Sequence, residues 1–307
     1  MDMRQLEAFV KVVELQSFSG AAKSLYLTQP TISTHIVSLE KELNVKLLTR
    51  TTKSVHVTCF GEKLYGYANE ILKLKEDLYQ EFGKENEVSK QIQIAGSTIP
   101  SQHILPELIP AFQKQNRNIY FSINQGDSMY VINEILKHRV DIGFVGMKSD
   151  NSRLHYIPFY KDKLVIITPN DEHYKMLLDT NNPLEELLKE PIVLREDGSG
   201  TKKNAEKFME AMNIDRSKLN IVARINDQGI IKRSVSKGIG VSIISKKAAL
   251  DYIEDGKILM YEPVGEENTR DLYIVFEKNK RINRLEKCFI EFCTQFYHEK
   301  SVMRGEM

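Results

Sequence analysis

Cysteine is scarce and irregularly placed in this chain of 307 residues. Its three cysteines, Cys59, Cys288 and Cys293, are too few for a disulfide framework, and their spacing fits no zinc motif. The seven histidines are scattered, with no H-x-x-x-H or C-x-x-C pattern beside them. We therefore expect no metal site and no cofactor.

Long apolar runs and an excess of one charge are also missing. No run approaches the roughly 20 apolar residues of a membrane span, and MDMRQLEAFV lacks the apolar core of a secretory signal. We therefore expect a cytoplasmic protein with no membrane partner. Because the formal net charge is only +1, a surface that binds nucleic acid would need its positive charge concentrated in one segment of the chain. One basic segment exists, since residues 44–61 contain Lys46, Arg50, Lys53 and His56 but no acid.

The segment TQPTISTHIVSLEKEL, residues 28–43, predicts a helix with an unusual outer face. One side is apolar at helical spacing, whereas the other side of its first two turns carries short, uncharged hydrogen-bonding groups. Such groups can read base edges in the major groove of DNA. A helix at 4–15 and a short one that Ser19 is expected to cap precede it, and 46–58 predicts a basic hairpin. This pattern favours a winged helix-turn-helix, although a small helical subdomain with polar caps stays open.

The same residues resemble the N-terminal winged helix-turn-helix of LysR-type transcriptional regulators. The matching positions are Phe18, Ala21, Ala22, Leu25, Gln29, Pro30, Ser33, Ile36, Leu39, Glu40, Leu43, Leu47, Arg50, Val55, Thr58 and Gly61. Three positions depart from the family pattern: His35 replaces a longer polar residue, Asn44 replaces glycine and Leu48 replaces phenylalanine. Asparagine tolerates a left-handed backbone, so a turn at Asn44 is still possible.

The resemblance implies a DNA-binding site and a set of partners. The side chains expected to face double-stranded DNA are Gln29, Pro30, Thr31, Ser33, Thr34 and His35 on the helix and Arg50 and Lys53 on the wing. His35 could instead be a bystander at the helix edge. The family also implies a homodimer or homotetramer and contact with RNA polymerase.

Residues 59–90 predict a long helix and a polar linker. Leu64, Ile71 and Leu78 recur every seven residues, and a second stripe at the same period begins at Tyr65. A heptad repeat of this length predicts pairing with another helix. We therefore divide the chain into a winged helix-turn-helix at 1–58, a linker helix for dimerisation at 59–90, and an effector domain at 91–300.

The effector domain reads as alternating strands and helices, which predicts a mostly parallel sheet with helices on both faces. Breaks at Thr168-Pro169 and from Glu262 to Asn268 divide it into lobe 1, residues 91–168 and 269–300, and lobe 2, residues 169–268. The fold class is therefore α+β multidomain, with a two-lobed α/β domain that the resemblance likens to a periplasmic binding protein.

Two loops of this domain are suited to an anion. AGSTIPS (95–101) and REDGSGTKKNAEKF (195–208) each follow a strand and open a helix, whose free N–H groups and dipole attract negative charge. Plain helix capping explains the second loop equally well. By resemblance, a co-inducer binds between the lobes, and Ser97, Thr98 and Thr201 match pocket positions. REDGSGT is similar to the sequence in members linked to sulfur assimilation and carbon fixation, which hints at a small inorganic or carboxylic anion.

Two further residues complete the expected effector site. Ser199 adds a hydroxyl donor, and Asn226 follows a strand that could face the same cleft, although residues 226–228 could equally form a helix N-cap. An enzyme or a solute-binding module remains the alternative to a regulator. Against an enzyme, the chain has no Walker loop, no complete G-x-G-x-x-G and no G-x-S-x-G elbow. Binding to heparin or operator DNA would distinguish the regulator from both alternatives.

Overall fold

The computed structural model describes residues 1–50, 54–81, 90–196, 200–211, 214–265, 268–280 and 282–304. It contains two compact units, one of Met1–Lys90 with Asn133–Asp141 and one of Gln91–Ile132 with Ile142–Met307. Within these described ranges, every helix is too short or too polar to cross a bilayer.

The N-terminal unit begins with three helices. These are α1 (Met3–Leu15), α2 (Phe18–Ser24) and α3 (Gln29–Leu43). Thr28 caps α3, and Pro30 lies in its first turn, where a missing N–H costs no hydrogen bond. Ser17, not the expected Ser19, caps α2, because helix formation two residues earlier places Phe18 in the core.

A short hairpin and a long helix follow. They are β1 (Leu48–Arg50), β2 (Val55–Val57) and α4 (Cys59–Glu81). Asn44 has φ 52° and ψ 36°, so the left-handed turn that asparagine allows there does form. The three helices pack their apolar faces together around a core in which Leu6, Phe9, Ile32, Ile36 and Leu39 are almost fully buried.

The second unit alternates strands and helices. Its strands are β3 (Lys90–Ser97), β4 (Ile119–Gly126), β5 (Ile142–Val145), β6 (Leu154–Pro169), β7 (Ile192–Arg195), β8 (Ile221–Ile225), β9 (Val241–Ser245), β10 (Ile258–Tyr261) and β11 (Thr269–Glu277). Its helices are α5 (Leu105–Gln115), α6 (Ser128–Leu136), α7 (Glu172–Leu178), α8 (Pro183–Lys189), α9 (Gly200–Ala211), α10 (Gln228–Val235), α11 (Lys246–Glu254) and α12 (Arg284–Arg304). A π-helical turn, Pro100–Ile104, precedes α5, and a 3-10 turn, Arg216–Lys218, follows α9.

One long strand joins the two halves of the sheet, whose order is β4-β3-β5-β11-β6-β9-β7-β8 with β10 beside β6. Strand β6 pairs with β11 as far as Lys163 and with β9 from Leu164 onward. The change of partner thus lies ahead of the break predicted at Thr168-Pro169. The parallel pairing expected from the sequence holds for β3–β5 and for β7 with β8 and β9. It is wrong for β6 and β11, which run antiparallel to their neighbours because each crosses between the lobes.

Each lobe has its own apolar core. In lobe 1, Phe112 and Phe289 meet edge to face with ring centroids 5.0 Å apart, next to the buried Phe144. In lobe 2, one face of the sheet packs against Phe208 of α9 and the other against Ile231 of α10. These rigid layers hold the strand ends that form the cleft described below.

Candidate functional site

The outer face of α3 presents the predicted polar side chains. Gln29, Pro30 and Thr34 are exposed, and Thr31, Ser33 and His35 are half-buried. Their polar groups bond locally: Gln29 Nε2 donates to Ser33 Oγ at 3.2 Å, and Thr34 Oγ1 donates to the Pro30 carbonyl oxygen at 3.0 Å. Exposed neutral hydrogen bonds contribute little net stability, so these groups can exchange them for base edges.

Burial of the rear of α3 fixes which face points outward. Ile32 and Leu39 are completely buried, and Ile36 is nearly so. A rotation of α3 about its axis would expose these side chains, at about 2 kcal/mol for each aliphatic group. The polar face is therefore held in place by the core and not by its own contacts.

Tyr26, in the turn between α2 and α3, was not singled out by the sequence analysis. Its side chain is 96% exposed, and its backbone has φ 55°, a left-handed conformation that is uncommon for tyrosine. An exposed aromatic ring next to a polar helix gives the same surface a large additional contact area.

The wing is a two-stranded antiparallel hairpin, as predicted. Its register pairs Leu48 with Val57 and Arg50 with Val55, so Arg50 ends the first strand next to the hairpin tip. The side chain of Arg50 and the whole of Lys53 lie outside the described part of the chain. The wing residues expected to touch DNA therefore stay a prediction.

Glu40 ties the wing to α3. Its Oε1 accepts hydrogen bonds from the backbone N–H of Leu47 at 2.9 Å and of Leu48 at 3.2 Å, and its Oε2 accepts from Lys46 Nζ at 2.6 Å. Burial opposes the charged form of this carboxyl, but the bonds from Lys46 and the two amides outweigh it and lower the pKa of Glu40. An ionised, buried carboxylate thus fixes the hairpin against the helix that precedes it.

Thr58 and Gly61 close the other side of the hairpin. Thr58 Oγ1 donates to the Lys46 carbonyl oxygen at 2.6 Å and accepts from Gly61 N–H at 3.0 Å, which caps α4. A Cβ at Gly61 would collide with the carbonyl oxygen of Leu47. Only glycine therefore allows α4 to start this close to the wing.

The apolar side chains of α4 lie on two different faces of the helix. Tyr65 and Ala68 are buried in the N-terminal core, which takes up part of the stripe predicted from the sequence. On another face, Tyr67, Leu74 and Leu78 are 67%, 47% and 53% exposed. Together with Ile71, which is half-buried against the edge of the N-terminal core, they follow the 4-3-4 spacing of a coiled-coil seam. We refer to Tyr67, Ile71, Leu74 and Leu78 as the linker seam.

A small cleft, partly open to solvent, lies at the strand ends of the second unit. Its lining residues are Ser97, Thr98, Ile99, Pro100, Asp127, Ser128, Gly146, Arg195, Arg270 and Leu272. Lobe 1 supplies most of them, whereas Arg195 comes from the end of β7 in lobe 2.

Helical backbone begins at Thr98 and runs through the π-helical turn into α5. The first-turn N–H groups of a helix have no partner within the helix, and together with the dipole they favour an anion. Pro100 has no N–H to lose at this position. Ser97 and Thr98 lie at the N-terminus of this helix, as the sequence predicted, and both line the cleft. Both carry a hydroxyl group, and Ser97 is buried.

Arg195, which lines the cleft, leaves one nitrogen of its guanidinium group unpaired. Its Nε and Nη2 each donate to a carboxylate oxygen of Glu196 at 3.1 Å, whereas Nη1 is buried and has no hydrogen-bond partner in the described part of the chain. Only 4% of the residue is exposed. A buried guanidinium N–H without a partner costs free energy, and an acceptor placed next to it would remove that cost.

The second guanidinium of the cleft, Arg270, is already paired. Its Nε and Nη2 donate to Asp162 Oδ2 at 2.9 and 2.8 Å, and Ser245 Oγ donates to Asp162 Oδ1 at 2.8 Å. Arg270 and Asp162 lie on the two strands that cross between the lobes, β11 and β6, and both are almost fully buried. This ion pair therefore braces the crossover beneath the cleft.

The other residues predicted for the effector site have different positions. Ser199 and the side chain of Thr201 lie outside the described part of the chain. Asn226 is exposed and does not line the cleft. The alternative for this segment fits better, since Asp227 caps α10 by accepting a bond from Ile230 N–H at 2.8 Å.

Four polar or charged cleft residues were not named as site residues from the sequence, although Arg195 opens the loop 195–208 that the sequence pointed to. They are Asp127, Ser128, Arg195 and Arg270. Arg195 could have been found, because a charged residue ending the apolar strand IVLR is unusual. Arg270 gave no such signal, since its partner is 108 positions away in the sequence. Across the described residues, no three His, Cys, Asp or Glu side chains gather closely enough to hold a metal ion.

Comparison with known proteins matches both units. Residues 3–62 match the model of the bacterial regulatory helix-turn-helix proteins of the lysR family, and residues 85–297 match the LysR substrate binding domain. An uncharacterized HTH-type transcriptional regulator of Methanocaldococcus jannaschii is 33% identical over 295 residues, which cover 94% of this chain and 97% of that protein.

Two solved structures share the fold. Full-length OxyR from Pseudomonas aeruginosa, in a variant form, superposes with a TM-score of 0.75 at 17% identity, over 96% of this chain and 94% of that one. Full-length CbnR in complex with its target DNA superposes with a TM-score of 0.66 at 19% identity, over 96% of this chain and 99% of that one.

Proposed function

Because the chain belongs to the LysR family of DNA-binding transcriptional regulators, we propose that a small molecule with an anionic group, bound in the cleft, controls its binding to DNA. The family assignment removes the enzyme and the solute-binding module as alternatives. The buried, unpartnered Nη1 of Arg195 is the observation that carries the ligand proposal. The division at 1–58, 59–90 and 91–300, with two lobes in the last part, is kept as part of the proposal.

The polar face of α3 reads bases, and the wing binds the DNA backbone. This assignment is supported by the outward-facing Gln29, Ser33 and Thr34 and by the absence of charge at their end of the helix. CbnR, whose fold this chain shares, was solved with its target DNA. Arg50 and Lys53 would add phosphate contacts, which give affinity without sequence preference.

Ser33→Ala is expected to lower affinity for the best DNA site by about 1.4 kcal/mol, roughly tenfold, and to leave affinity for random DNA nearly unchanged. The hydroxyl is a base-reading group in this proposal, and its loss removes discrimination. The measurement is a titration of the full chain with a duplex selected from a random pool and with a scrambled duplex.

Arg50→Ala is the matched control for that experiment. We expect it to weaken binding to both duplexes alike and to reduce the slope of log affinity against log salt by about 1. If Ser33→Ala also loses affinity equally on both duplexes, the base-reading role of α3 is wrong.

Arg195→Gln is expected to weaken the binding of the best anion by about 2 kcal/mol, roughly 30-fold, because a charge-assisted hydrogen bond is lost. The probes are sulfate, phosphate, bicarbonate and short carboxylates, titrated into the full chain by calorimetry. Arg216→Gln is the control, since Arg216 is half-exposed and pairs with Glu206. An unchanged affinity in Arg195→Gln would remove the guanidinium from the site.

The ligand acts on DNA through a change in lobe arrangement. Asn204 Nδ2 of lobe 2 donates to the Gly146 carbonyl oxygen of lobe 1 at 3.4 Å, so the two lobes already meet at the cleft. A ligand shifts the arrangement only if it binds one form more tightly, and a coupling of about 1 to 3 kcal/mol changes DNA affinity roughly 5- to 150-fold.

The linker seam would pair two chains so that their two winged helix-turn-helix domains bind adjacent half-sites. Further pairing would give a tetramer that contacts RNA polymerase.

A further inference from the structure

The cleft contains a carboxylate that a simple anion site would not need. Asp127 lines it together with Ser128 and Arg195. Asp127 Oδ1 accepts from Tyr130 N–H at 2.6 Å, which caps α6, and no other partner of this carboxylate is found among the described residues. Asp127 is exposed, so its remaining lone pairs are open to water, and because an ionised carboxylate can only accept hydrogen bonds a ligand donor could replace that water.

The charges around the cleft also favour a ligand that carries a hydrogen-bond donor. Arg195 is paired with Glu196 and Arg270 with Asp162, so each guanidinium is balanced by a carboxylate. Asp127 adds a negative charge that no described lining residue offsets. The N-terminus of the helix that begins at Thr98 supplies only about half a positive charge. A dianion without a proton would gain little attraction here, and its oxygens would be repelled by Asp127.

We infer that the ligand of this cleft carries a hydrogen-bond donor beside its anionic group, and that Asp127 recognises this donor. The inference rests on the proposed anion site. The anionic group accepts from Arg195 Nη1 and from the helix N-terminus at Thr98, and the donor bonds to the Asp127 carboxylate. A zwitterion such as a small amino acid and a protonated oxyanion share this chemistry.

The test compares two matched pairs of probes that differ in the donor. Sulfate and hydrogen phosphate are both tetrahedral oxyanions, but only hydrogen phosphate carries a proton at neutral pH. Acetate and glycine share a carboxylate, but only glycine has an ammonium group. Affinities for the full chain are measured by titration calorimetry, because sulfate and phosphate raise melting temperatures through exclusion from the protein surface alone.

Asp127→Asn isolates the carboxylate. Asparagine is as good an N-cap as aspartate, so the start of α6 is retained while the charge is removed and N–H donors are introduced. We expect the wild-type chain to bind the donor-bearing member of at least one pair about tenfold more tightly. In Asp127→Asn that preference should fall to about threefold or less, chiefly through tighter binding of the partner without a donor. Asp127→Ser, a second capping residue, checks the result if Asp127→Asn melts early.

The outcomes separate this inference from the proposed site. Equal affinity within both pairs, or a preference that survives in both Asp127 variants, overturns the role of Asp127 and leaves the anion site standing. Lack of binding by all four probes contradicts the anion site itself, and the inference with it.

Discussion

Leu74→Glu is expected to weaken self-association of the full chain by about 4 kcal/mol, roughly 1000-fold. Leu74 lies in the middle of the linker seam and is 47% exposed in the single chain. In a two-fold dimer the same residue is buried twice, so the cost of placing a carboxylate against apolar side chains, about 2 kcal/mol per copy, is doubled. DNA with two half-sites should then be bound no better than DNA with one.

The measurement is sedimentation equilibrium of the wild-type and variant chains, followed by titration with one-site and two-site duplexes. Met176→Glu is the control, because Met176 is an apolar side chain on α7 that is 65% exposed and lies in the other unit. If Leu74→Glu associates as strongly as Met176→Glu, the linker seam is not the dimer interface.

Local sequence signals predicted most of the N-terminal unit. Pro30 favours the first turn of a helix and Asn44 tolerates a left-handed turn, and the structure has both. Ser17 and Ser19 are equally good capping residues by type. The choice between them depended on the burial of Phe18, which is 8% exposed. The free energy of packing this side chain into the core cannot be read from the neighbouring residues in the sequence.

Only part of the cleft could be predicted, because some of its contacts join residues that are far apart in the sequence. Ser97 and Thr98 follow an apolar strand and open a helix, so a local pattern identified them. Strand β6 was recognised only in its second half, because Pro158 and charged residues interrupt the first half. The pairing of Asp162 with Arg270 depends on that missed half and on a partner far along the chain, so no local pattern contains it.

Glu40→Ala is expected to lower the free energy of unfolding of the N-terminal unit by about 3 kcal/mol. The change leaves the backbone N–H groups of Leu47 and Leu48 without an acceptor, and both residues are almost fully buried. Each orphaned N–H costs about 1 to 3 kcal/mol. The wing also loses its link to α3, so affinity for all DNA sequences should fall together with stability.

Amide hydrogen exchange at residues 47 and 48 of the full chain measures this effect directly, since those two N–H groups lose their protection. Glu42→Ala is the control, because Glu42 lies on the same helix and its only described ion pair is with the terminal amine. Exchange rates in Glu40→Ala close to those of Glu42→Ala would contradict the structural role of Glu40.

The charge on Glu40 adds a pH dependence whose sign follows from its pKa. The folded-state pKa is lowered from the ordinary value of 4.5 by the bonds from Lys46 and the two amides, against the opposing effect of burial. The stabilisation is therefore fully present above pH 4.5 and is lost as the pH falls through the lowered value.

Glu40→Gln keeps an acceptor oxygen but has no charge to lose. Its stability deficit relative to the wild type should be constant from pH 7 to about 5 and should shrink at lower pH. A deficit that stays constant down to about pH 2 would mean that Glu40 acts by shape and not as a carboxylate.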